Sequence, residues 1–337
     1  MGKTLVIAEF GANHNRDWDT AIKGIDAAVE AKADIVKFQT YTAEGLFAKQ
    51  DRDINGISDI HSMFKDIELP REWQKDLKAY CDDKGIEFMS TPFDEEAVQQ
   101  LVDLGVKRLK ISGFESSDPR FVEMVCSTGL PIIMSVGIGF PINYMGKFID
   151  IFERYNNHVT LLHCVNAYPT PMNEINLNGI TALSNFKGID AVGLSDHTQS
   201  VLTPALAVAK GATVIEKHFT LDRNMKGPDH SFAMEPHELK EMVRLIRQAE
   251  ETIQGSGNTE SKFIHGKRSV VAACDIKVGE YLNKSNTTTK RPCYEDSVPA
   301  IDYNEVMGEM SYDFIAKGTI IKKSNIPGYY ELRPANI

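Results

Sequence analysis

Two stretches, Gly193-Leu-Ser-Asp-His197 and Ile215-Glu-Lys-His-Phe219, each have the pattern of a buried strand that ends in polar residues and a histidine. Six apolar runs of strand length precede them, at residues 5–10, 35–40, 87–91, 108–112, 132–136 and 159–165. Helical patterns separate the runs, and alternation of strand and helix predicts a parallel sheet. Eight such units in about 250 residues match a closed (β/α)8 barrel. The sequence therefore predicts a TIM barrel of the α/β class.

The two histidines are predicted to lie together at one end of this barrel. Strands seven and eight of a closed barrel are neighbours, and active sites of the fold lie at the C-terminal ends of the strands. His197 and His218 would then share the barrel mouth, where a pair of imidazoles most simply indicates a metal site. Ligand type alone leaves zinc open as the metal. The alternative is one histidine as a ligand and the other as a hydrogen-bonded core residue.

Polar residues also end the other predicted strands. In chain order the set is Glu9, Lys37, Gln39, Ser90, Thr91, Lys110, Ser135, Asn166, Ser195, His197, Glu216 and His218. Because strand side chains alternate, Lys37 shares a face with Gln39, while Lys217 points away from the mouth. Charged groups inside a barrel are costly unless they are paired or used. Their recurrence at one end favours an active site, although a buried lysine that only neutralises a glutamate remains the structural alternative.

Composition excludes several kinds of partner. Lys and Arg number 37 against 47 Asp and Glu, so the net charge of −10 argues against nucleic acid and anionic membrane as partners. No apolar run reaches membrane-spanning length, and the first strand follows Met1 too closely for a signal peptide. Five scattered cysteines fit reduced thiols. We expect a cytoplasmic protein.

The chain is predicted to contain two domains. Residues 1–254 form the barrel, residues 255–266 have the glycine-rich and polar composition of a linker, and residues 267–337 form a small, mainly β domain. An internal repeat supports a pseudo-symmetric small domain, since 276–286 and 315–325 share glycine, an apolar residue and Lys-Ser-Asn in register. Within the barrel, residues 42–69 are too long for a simple connection and predict a lid or substrate loop.

Several linked motifs resemble the sialic acid synthase family. They are Ile7-Ala-Glu-Phe-Gly-Ala-Asn-His14, Val36-Lys-Phe-Gln-Thr40, Ser90-Thr-Pro-Phe93, Leu161-Leu-His-Cys-Val-Asn-Ala-Tyr-Pro-Thr-Pro171, Gly193-Leu-Ser-Asp-His-Thr198, Ile215-Glu-Lys-His-Phe-Thr220 and Gly227-Pro-Asp-His230. The C-terminal segment with Lys290-Arg-Pro292 is similar to the family's antifreeze-like SAF domain, a β-clip fold. The resemblance covers nearly the whole chain in order.

The resemblance implies a transferase that condenses phosphoenolpyruvate with an open-chain N-acylated hexosamine and releases phosphate. N-acetylmannosamine and a 2,4-diacetamido-dideoxyhexose are the acceptors it implies. It also implies a divalent ion, manganese first with magnesium or cobalt as alternatives, held by His197 and His218. Two other hypotheses remain open: another metal-dependent phosphoenolpyruvate-condensing barrel aldolase, and a non-catalytic carbohydrate-binding protein.

The resemblance assigns roles to individual residues. Catalysis falls to Glu9, Lys37, Lys110 and Glu216. Phosphoenolpyruvate is bound by Lys37, Thr91, Lys110, Asn166 and Ser195. The sugar is contacted by Gln39, Glu115, Tyr168, Asp229 and Arg291. In the family the small domain crosses a domain-swapped homodimer and brings its arginine to the sugar's N-acyl group, so Arg291 is expected to complete the partner's site.

Overall fold

A computed structural model of the chain describes residues 2–48, 59–137, 140, 142–255, 263 and 265–330. The chain divides into two compact units, Met1–Gln254 and Gly255–Ile337. Most of the predicted linker, and part of the predicted lid between residues 49 and 58, lie outside the described residues. No helix in the described ranges is long and apolar enough to cross a bilayer.

The first unit is a barrel of eight parallel strands. They are β1 (Leu5–Gly11), β2 (Ile35–Thr40), β3 (Glu87–Pro92), β4 (Leu109–Ile111), β5 (Ile132–Val136), β6 (Val159–Cys164), β7 (Ala191–Asp196) and β8 (Val214–His218). Backbone hydrogen bonds connect them in the order β3-β2-β1-β8-β7-β6-β5-β4, and β3 packs beside β4 to bring the sheet round. The TIM barrel predicted from the sequence is confirmed.

Within the described ranges, ten α-helices accompany these strands. They are α1 (Trp18–Glu30), α2 (Ala43–Leu46), α3 (Ile60–Ile67), α4 (Gln74–Lys84), α5 (Glu95–Asp103), α6 (Pro119–Cys126), α7 (Met145–Arg154), α8 (Asn178–Leu183), α9 (Thr203–Ala209) and α10 (Pro236–Gln254). Seven occupy positions with a helical sequence pattern. Helix α8 was not predicted, because it is too short to show helical periodicity, and α2 and α3 lie in the stretch expected to be a loop.

Two side-chain layers fill the barrel interior. The lower layer is apolar and consists of Ile7, Ile35, Met89, Ile133, Leu162 and Val214. Two residues further along the same strands come Glu9, Lys37, Thr91, Ser135, Cys164 and Glu216. Because strand side chains repeat with a period of two, these residues face the same interior one layer higher. The apolar layer thus closes the barrel floor beneath a polar layer at the strand ends.

The second unit has its own small core. Strands β9 (Ser269–Ala272) and β10 (Thr287–Lys290) pair antiparallel, and the repeat noted in the sequence is visible as structure. Ile276 and Ile315, which begin the two copies, exchange backbone hydrogen bonds of 2.8 and 2.9 Å. Gly279 and Gly318 occupy matching places with φ of 81° and 84°, a left-handed conformation that favours glycine. The two copies therefore pair with each other in an antiparallel arrangement.

Candidate active site

A cavity of about 570 Å³ opens at the C-terminal ends of the barrel strands. All predicted site residues of the first unit line it: Glu9, Lys37, Gln39, Thr91, Lys110, Glu115, Asn166, Tyr168, Ser195, His197, Glu216, His218 and Asp229. Arg291 belongs to the second unit, is exposed and follows β10 directly. Thirteen side chains from separate parts of the sequence are therefore brought to one place by the fold.

Glu216 is the centre of the charged floor. Its two carboxylate oxygens lie 3.6 Å from the Nζ of Lys37 and 3.6 Å from the Nζ of Lys110. Ser195 donates a hydrogen bond of 3.0 Å to the carboxylate. All three charged side chains are buried. Because a buried charge is stable only with a counter-charge or hydrogen bonds, Glu216 fixes both lysines at the base of the cavity.

Each lysine has further partners that orient it. Lys37 lies 2.9 Å from Glu9 Oε2 and donates to Thr91 Oγ1 at 2.8 Å. Lys110 donates to Ser135 Oγ at 2.8 Å and to the backbone carbonyl of Ile111 at 2.9 Å. Ser135 is thus part of the site, although it was singled out in the sequence only as a polar strand end.

The two glutamates differ in the protonation that their surroundings favour. Burial raises the pKa of Glu9 to about 7, against the opposing effect of Lys37, and the nearby charge of Glu216 adds to the increase. Burial also raises the pKa of Glu216, but the charges of Lys110 and Lys37 outweigh it and lower that pKa to about 2. Near neutral pH the floor therefore holds two ammonium groups, one full carboxylate and one carboxyl that is partly protonated. Its net charge is suited to an anion.

The two histidines stand together above this floor. Their ring centroids are 5.4 Å apart. His197 Nδ1 lies 2.8 Å from the carbonyl oxygen of Val165, so a hydrogen bond to that acceptor places the proton on Nδ1 and frees Nε2. His218 Nδ1 is buried without a hydrogen-bond partner in the described part of the chain, and Asp229 Oδ2 lies 3.6 Å away.

Burial keeps both imidazoles available as ligands. It lowers the pKa of His197, and it lowers the pKa of His218 well below the ordinary value with further help from the charges of His197 and Lys37. Neutral imidazoles are metal ligands, so this donor pair fits a divalent ion. Among the described residues no group of three or more His, Cys, Asp and Glu side chains is arranged around one metal position. The pair would therefore leave most coordination positions open.

The side of the cavity above the floor carries the predicted sugar contacts. Gln39 donates to Glu9 at 3.1 Å, and the ring of Tyr168 lies 4.3 Å from that of His197. Glu115 accepts a short hydrogen bond from Ser112. Asn166 is seated against Gly137, where a Cβ atom would come within 2.1 Å of its side-chain oxygen. Glycine at 137 is thus needed for Asn166 to reach its place.

Lys217 lies on the opposite face of β8, as strand alternation predicts. It forms a buried ion pair of 2.7 Å with Asp196 and also donates to the backbone carbonyl of Thr198. Asp196 and Lys217 are paired in register on β7 and β8. Asp196 and Lys217 each immediately precede one of the two histidines in the sequence. Their ion pair joins β7 and β8, the strands that lead to His197 and His218.

The individual residues of one cavity wall were not identified in the sequence, although residues 42–69 were expected to form a lid or substrate loop. The wall consists of Tyr41, Leu46, Phe47, Ile60, Phe64, Ile67 and Phe93. Most of these residues belong to α2, α3 and the turns next to them. Tyr41 could have been identified from the sequence, because it continues the alternation of Lys37 and Gln39 and so faces the same side. Most of the other wall residues lie in a stretch with no strand pattern.

A (β/α)8 barrel with charged side chains converging at its strand ends has the architecture of the barrel enzymes. The chain belongs to the NeuB family, whose model matches residues 24–258, and residues 267–327 match the SAF domain.

Two relatives named as synthases are similar over nearly the full chain, and a solved structure is similar over most of it. The N,N'-diacetyllegionaminic acid synthase of Campylobacter jejuni is 37% identical, covering 92% of this chain and 96% of that protein. A pseudaminic acid synthase of the same species is 34% identical, covering 96% of each chain. A solved structure described as N-acetylneuraminic acid (sialic acid) synthetase from Leptospira borgpetersenii, in complex with citrate, has a TM-score of 0.72 and 31% identity, covering 78% of this chain and 90% of that one.

The raised pKa of Glu9 predicts a pH-dependent effect of Glu9→Gln on stability. The pKa is 4.5 for an ordinary glutamate and about 7 in the folded state, so the folded state binds this proton more tightly. The contribution of Glu9 to the free energy of unfolding should therefore fall as the pH rises from 4.5 to about 7, by at most about 3 kcal/mol. Relative to wild type, Glu9→Gln should become more stable between pH 5 and pH 8 in urea unfolding with a chelator present. An equal difference at both pH values would contradict the assignment.

Proposed function

We propose that the protein is a cytoplasmic nonulosonate synthase that condenses phosphoenolpyruvate with an open-chain N-acylated hexosamine and releases phosphate. The observation that carries the proposal is the pair of buried lysines, Lys37 and Lys110, held around Glu216 beneath two neutral histidines in one cavity. Membership of the NeuB family and similarity to legionaminic and pseudaminic acid synthases support the same reaction class.

The lysines are the groups suited to phosphoenolpyruvate. In an acidic protein, they bring two positive charges to the cavity floor, where phosphate and carboxylate need compensation. Thr91, Asn166 and Ser195 line the same cavity, and their hydroxyl and amide groups are the proposed hydrogen-bonding partners of these oxygens. A phosphate that leaves during the reaction gains charge at its oxygens, so the lysines would stabilise the transition state as well as the bound substrate.

The reaction joins the methylene carbon of phosphoenolpyruvate to the aldehyde carbon of the sugar. One water molecule is consumed and phosphate is released, while the aldehyde oxygen takes up a proton and becomes a hydroxyl group. Glu9 is suited to hold or move a proton because its pKa of about 7 allows both forms near neutral pH. Lys37, which lies between Glu9 and Glu216, orients the carboxyl and stabilises its ionised form.

His197 and His218 are the proposed metal ligands, with manganese as the expected ion and magnesium or cobalt as alternatives. A bound divalent ion would supply Lewis-acid stabilisation of negative charge that develops on the aldehyde oxygen. Around this position Gln39, Glu115, Tyr168 and Asp229 are placed to bind and orient the sugar.

The function is tested by phosphate release across a panel of N-acylated hexosamines. We expect release only when phosphoenolpyruvate and an acceptor are both present, because the new bond requires the aldehyde carbon. The panel includes N-acetylmannosamine and 2,4-diacetamido-dideoxyhexoses. It also includes sugar phosphates, which are the acceptors expected for other phosphoenolpyruvate-condensing aldolases. Release that depends only on a sugar phosphate would indicate such an aldolase, and absence of release with every acceptor would contradict the proposal.

The metal site is tested by removing either histidine. His197→Ala and His218→Ala should each lower turnover at least 100-fold and reduce the number of tightly bound Mn²⁺ ions, measured by electron paramagnetic resonance, because each loses half of the protein ligands. Chelation should abolish turnover, and added Mn²⁺ should restore it. His158→Ala, which changes an exposed histidine, is the control and should behave as wild type. Undiminished Mn²⁺ binding in both variants would place the metal elsewhere.

We further propose that Arg291 completes the site of a partner subunit in a domain-swapped homodimer. Arg291 is an exposed residue of the SAF unit, and a guanidinium is suited to the carbonyl oxygen of an N-acyl group. The SAF unit is small, and a small domain gains stability by docking on a larger surface.

Subunit mixing tests this arrangement. Arg291→Ala and His218→Ala should each be inactive alone, and mixing under conditions that exchange subunits should recover activity. A mixed dimer contains one barrel with His218 that receives an intact arginine from its partner. Each variant mixed with itself is the control. Subunit exchange is first verified by mass spectrometry. If activity does not recover although the subunits have exchanged, Arg291 serves its own barrel or does not contribute.

A further inference from the structure

Tyr41 is a buried tyrosine in the cavity wall that has no role in the reaction proposed above. It follows β2 and continues the alternation of Lys37 and Gln39, so all three side chains face the barrel interior. Its residue surface is 1% exposed, yet it lines the cavity.

The hydroxyl of Tyr41 finds no hydrogen-bond partner in the part of the chain that the structure describes. A buried hydroxyl left unpaired is destabilising, and phenylalanine would fill the same space without that cost. The ring itself is well held, with edge contacts to Phe64 at 5.6 Å and to Phe93 at 5.8 Å between centroids. The side chain is therefore held in place, while its hydroxyl makes no hydrogen bond to any of the described residues.

The backbone that follows Tyr41 in the chain is also held by hydrogen bonds. Thr42 caps α2 by accepting from the backbone of Gly45, and Ala43 donates to Glu68 Oε2 at 3.1 Å. Burial raises the pKa of Tyr41, and the nearby charges of Asp229 and Glu68 raise it further, so the phenol keeps its proton at neutral pH. The hydroxyl is thus a rigidly placed donor.

The surroundings indicate what this donor would bind. Apolar side chains form the wall next to it: Leu46, Phe47, Ile60, Phe64, Ile67 and Phe93. A phosphate or a sugar hydroxyl beside these residues would lose hydrogen bonds to water without replacement. An acylamino group matches the wall better, because its carbonyl oxygen accepts a hydrogen bond while its alkyl part is apolar.

We infer that Tyr41 is a specificity residue whose hydroxyl donates a hydrogen bond to the carbonyl oxygen of an acylamino group on the acceptor sugar. The alkyl part of that group packs against the wall that includes Phe47 and Phe64, whose rings lie 4.9 Å apart. The inference rests on the proposed synthase function and adds a group that selects the acceptor, distinct from the lysines that hold phosphoenolpyruvate. It is compatible with the role proposed for Arg291, because a carbonyl oxygen has two lone pairs and can accept two hydrogen bonds.

Tyr41→Phe tests the inference with the acceptor that wild type prefers. We expect KM for that acceptor to rise roughly five- to tenfold, the usual effect of losing one hydrogen bond, with KM for phosphoenolpyruvate unchanged. The Tm of the free variant should equal or exceed that of wild type, because the substitution removes a buried hydroxyl that pairs with none of the described residues. With an acceptor analogue that carries an amine in place of the acylamino group, the two proteins should differ by less than twofold.

The matched control is Tyr80→Phe, which removes a hydroxyl that donates to Asp26 at 3.0 Å on the outside of the barrel. It should lower Tm and leave both KM values unchanged. An unchanged acceptor KM in Tyr41→Phe, or a lower Tm, would show that Tyr41 is a core residue only and overturn the inference. A rise confined to the KM of phosphoenolpyruvate would overturn it as well.

A binding measurement separates this inference from the proposed function. If wild type releases no phosphate with any acceptor, the synthase proposal fails, and thermal-shift titration with acylamino sugars still tests Tyr41. Stabilisation of wild type by these sugars that is lost in Tyr41→Phe supports the inference. Equal shifts in both proteins, or none in either, overturn it.

Discussion

The cavity depends on one carboxylate that is paired with two buried ammonium groups. Glu216 on β8 reaches Lys37 on β2 and Lys110 on β4, so three strands spread around the barrel meet through one side chain. Desolvation of each charge is expensive, and the ion pairs among these three side chains, together with the one between Lys37 and Glu9, offset that cost. The arrangement therefore exists before substrate arrives. An anion that enters therefore meets two ammonium groups that are already held in place.

The barrel could be predicted because its strands are buried on both faces and several of its helices, such as α1, α4 and α10, run for more than ten residues. Both give strong local patterns, and strand alternation then placed Lys37 and Gln39 on one face and Lys217 on the other. Prediction was weakest where pattern is short. Strand β4 has three residues instead of the expected five, and α9 begins at Thr203, where Pro204 suits the first turn, rather than near residue 199.

The sequence predicts which polar residues line the cavity, but it does not predict the residues that form the apolar wall. Motif residues such as Glu9, His197 and Asp229 come from strand ends and the turns after them, and the closed barrel necessarily brings these together. The apolar wall has a different origin, since α2 and α3 come from a long connection whose path is decided by tertiary packing. The contacts of Phe47 with Phe64 and of Phe64 with Tyr41 join residues from separate segments. No spacing in the sequence indicates such pairs.

The Asp196–Lys217 ion pair behind the two histidines has a consequence for how this sequence can diverge. Both side chains are almost fully buried, and loss of either leaves its partner as an isolated charge between β7 and β8. A single substitution at either position is therefore strongly destabilising. Joint replacement of both residues by apolar residues of similar volume avoids leaving a buried charge without its counter-charge. Among descendants of this chain the two positions should thus be inherited as a unit, as correlated sites in an evolutionary record.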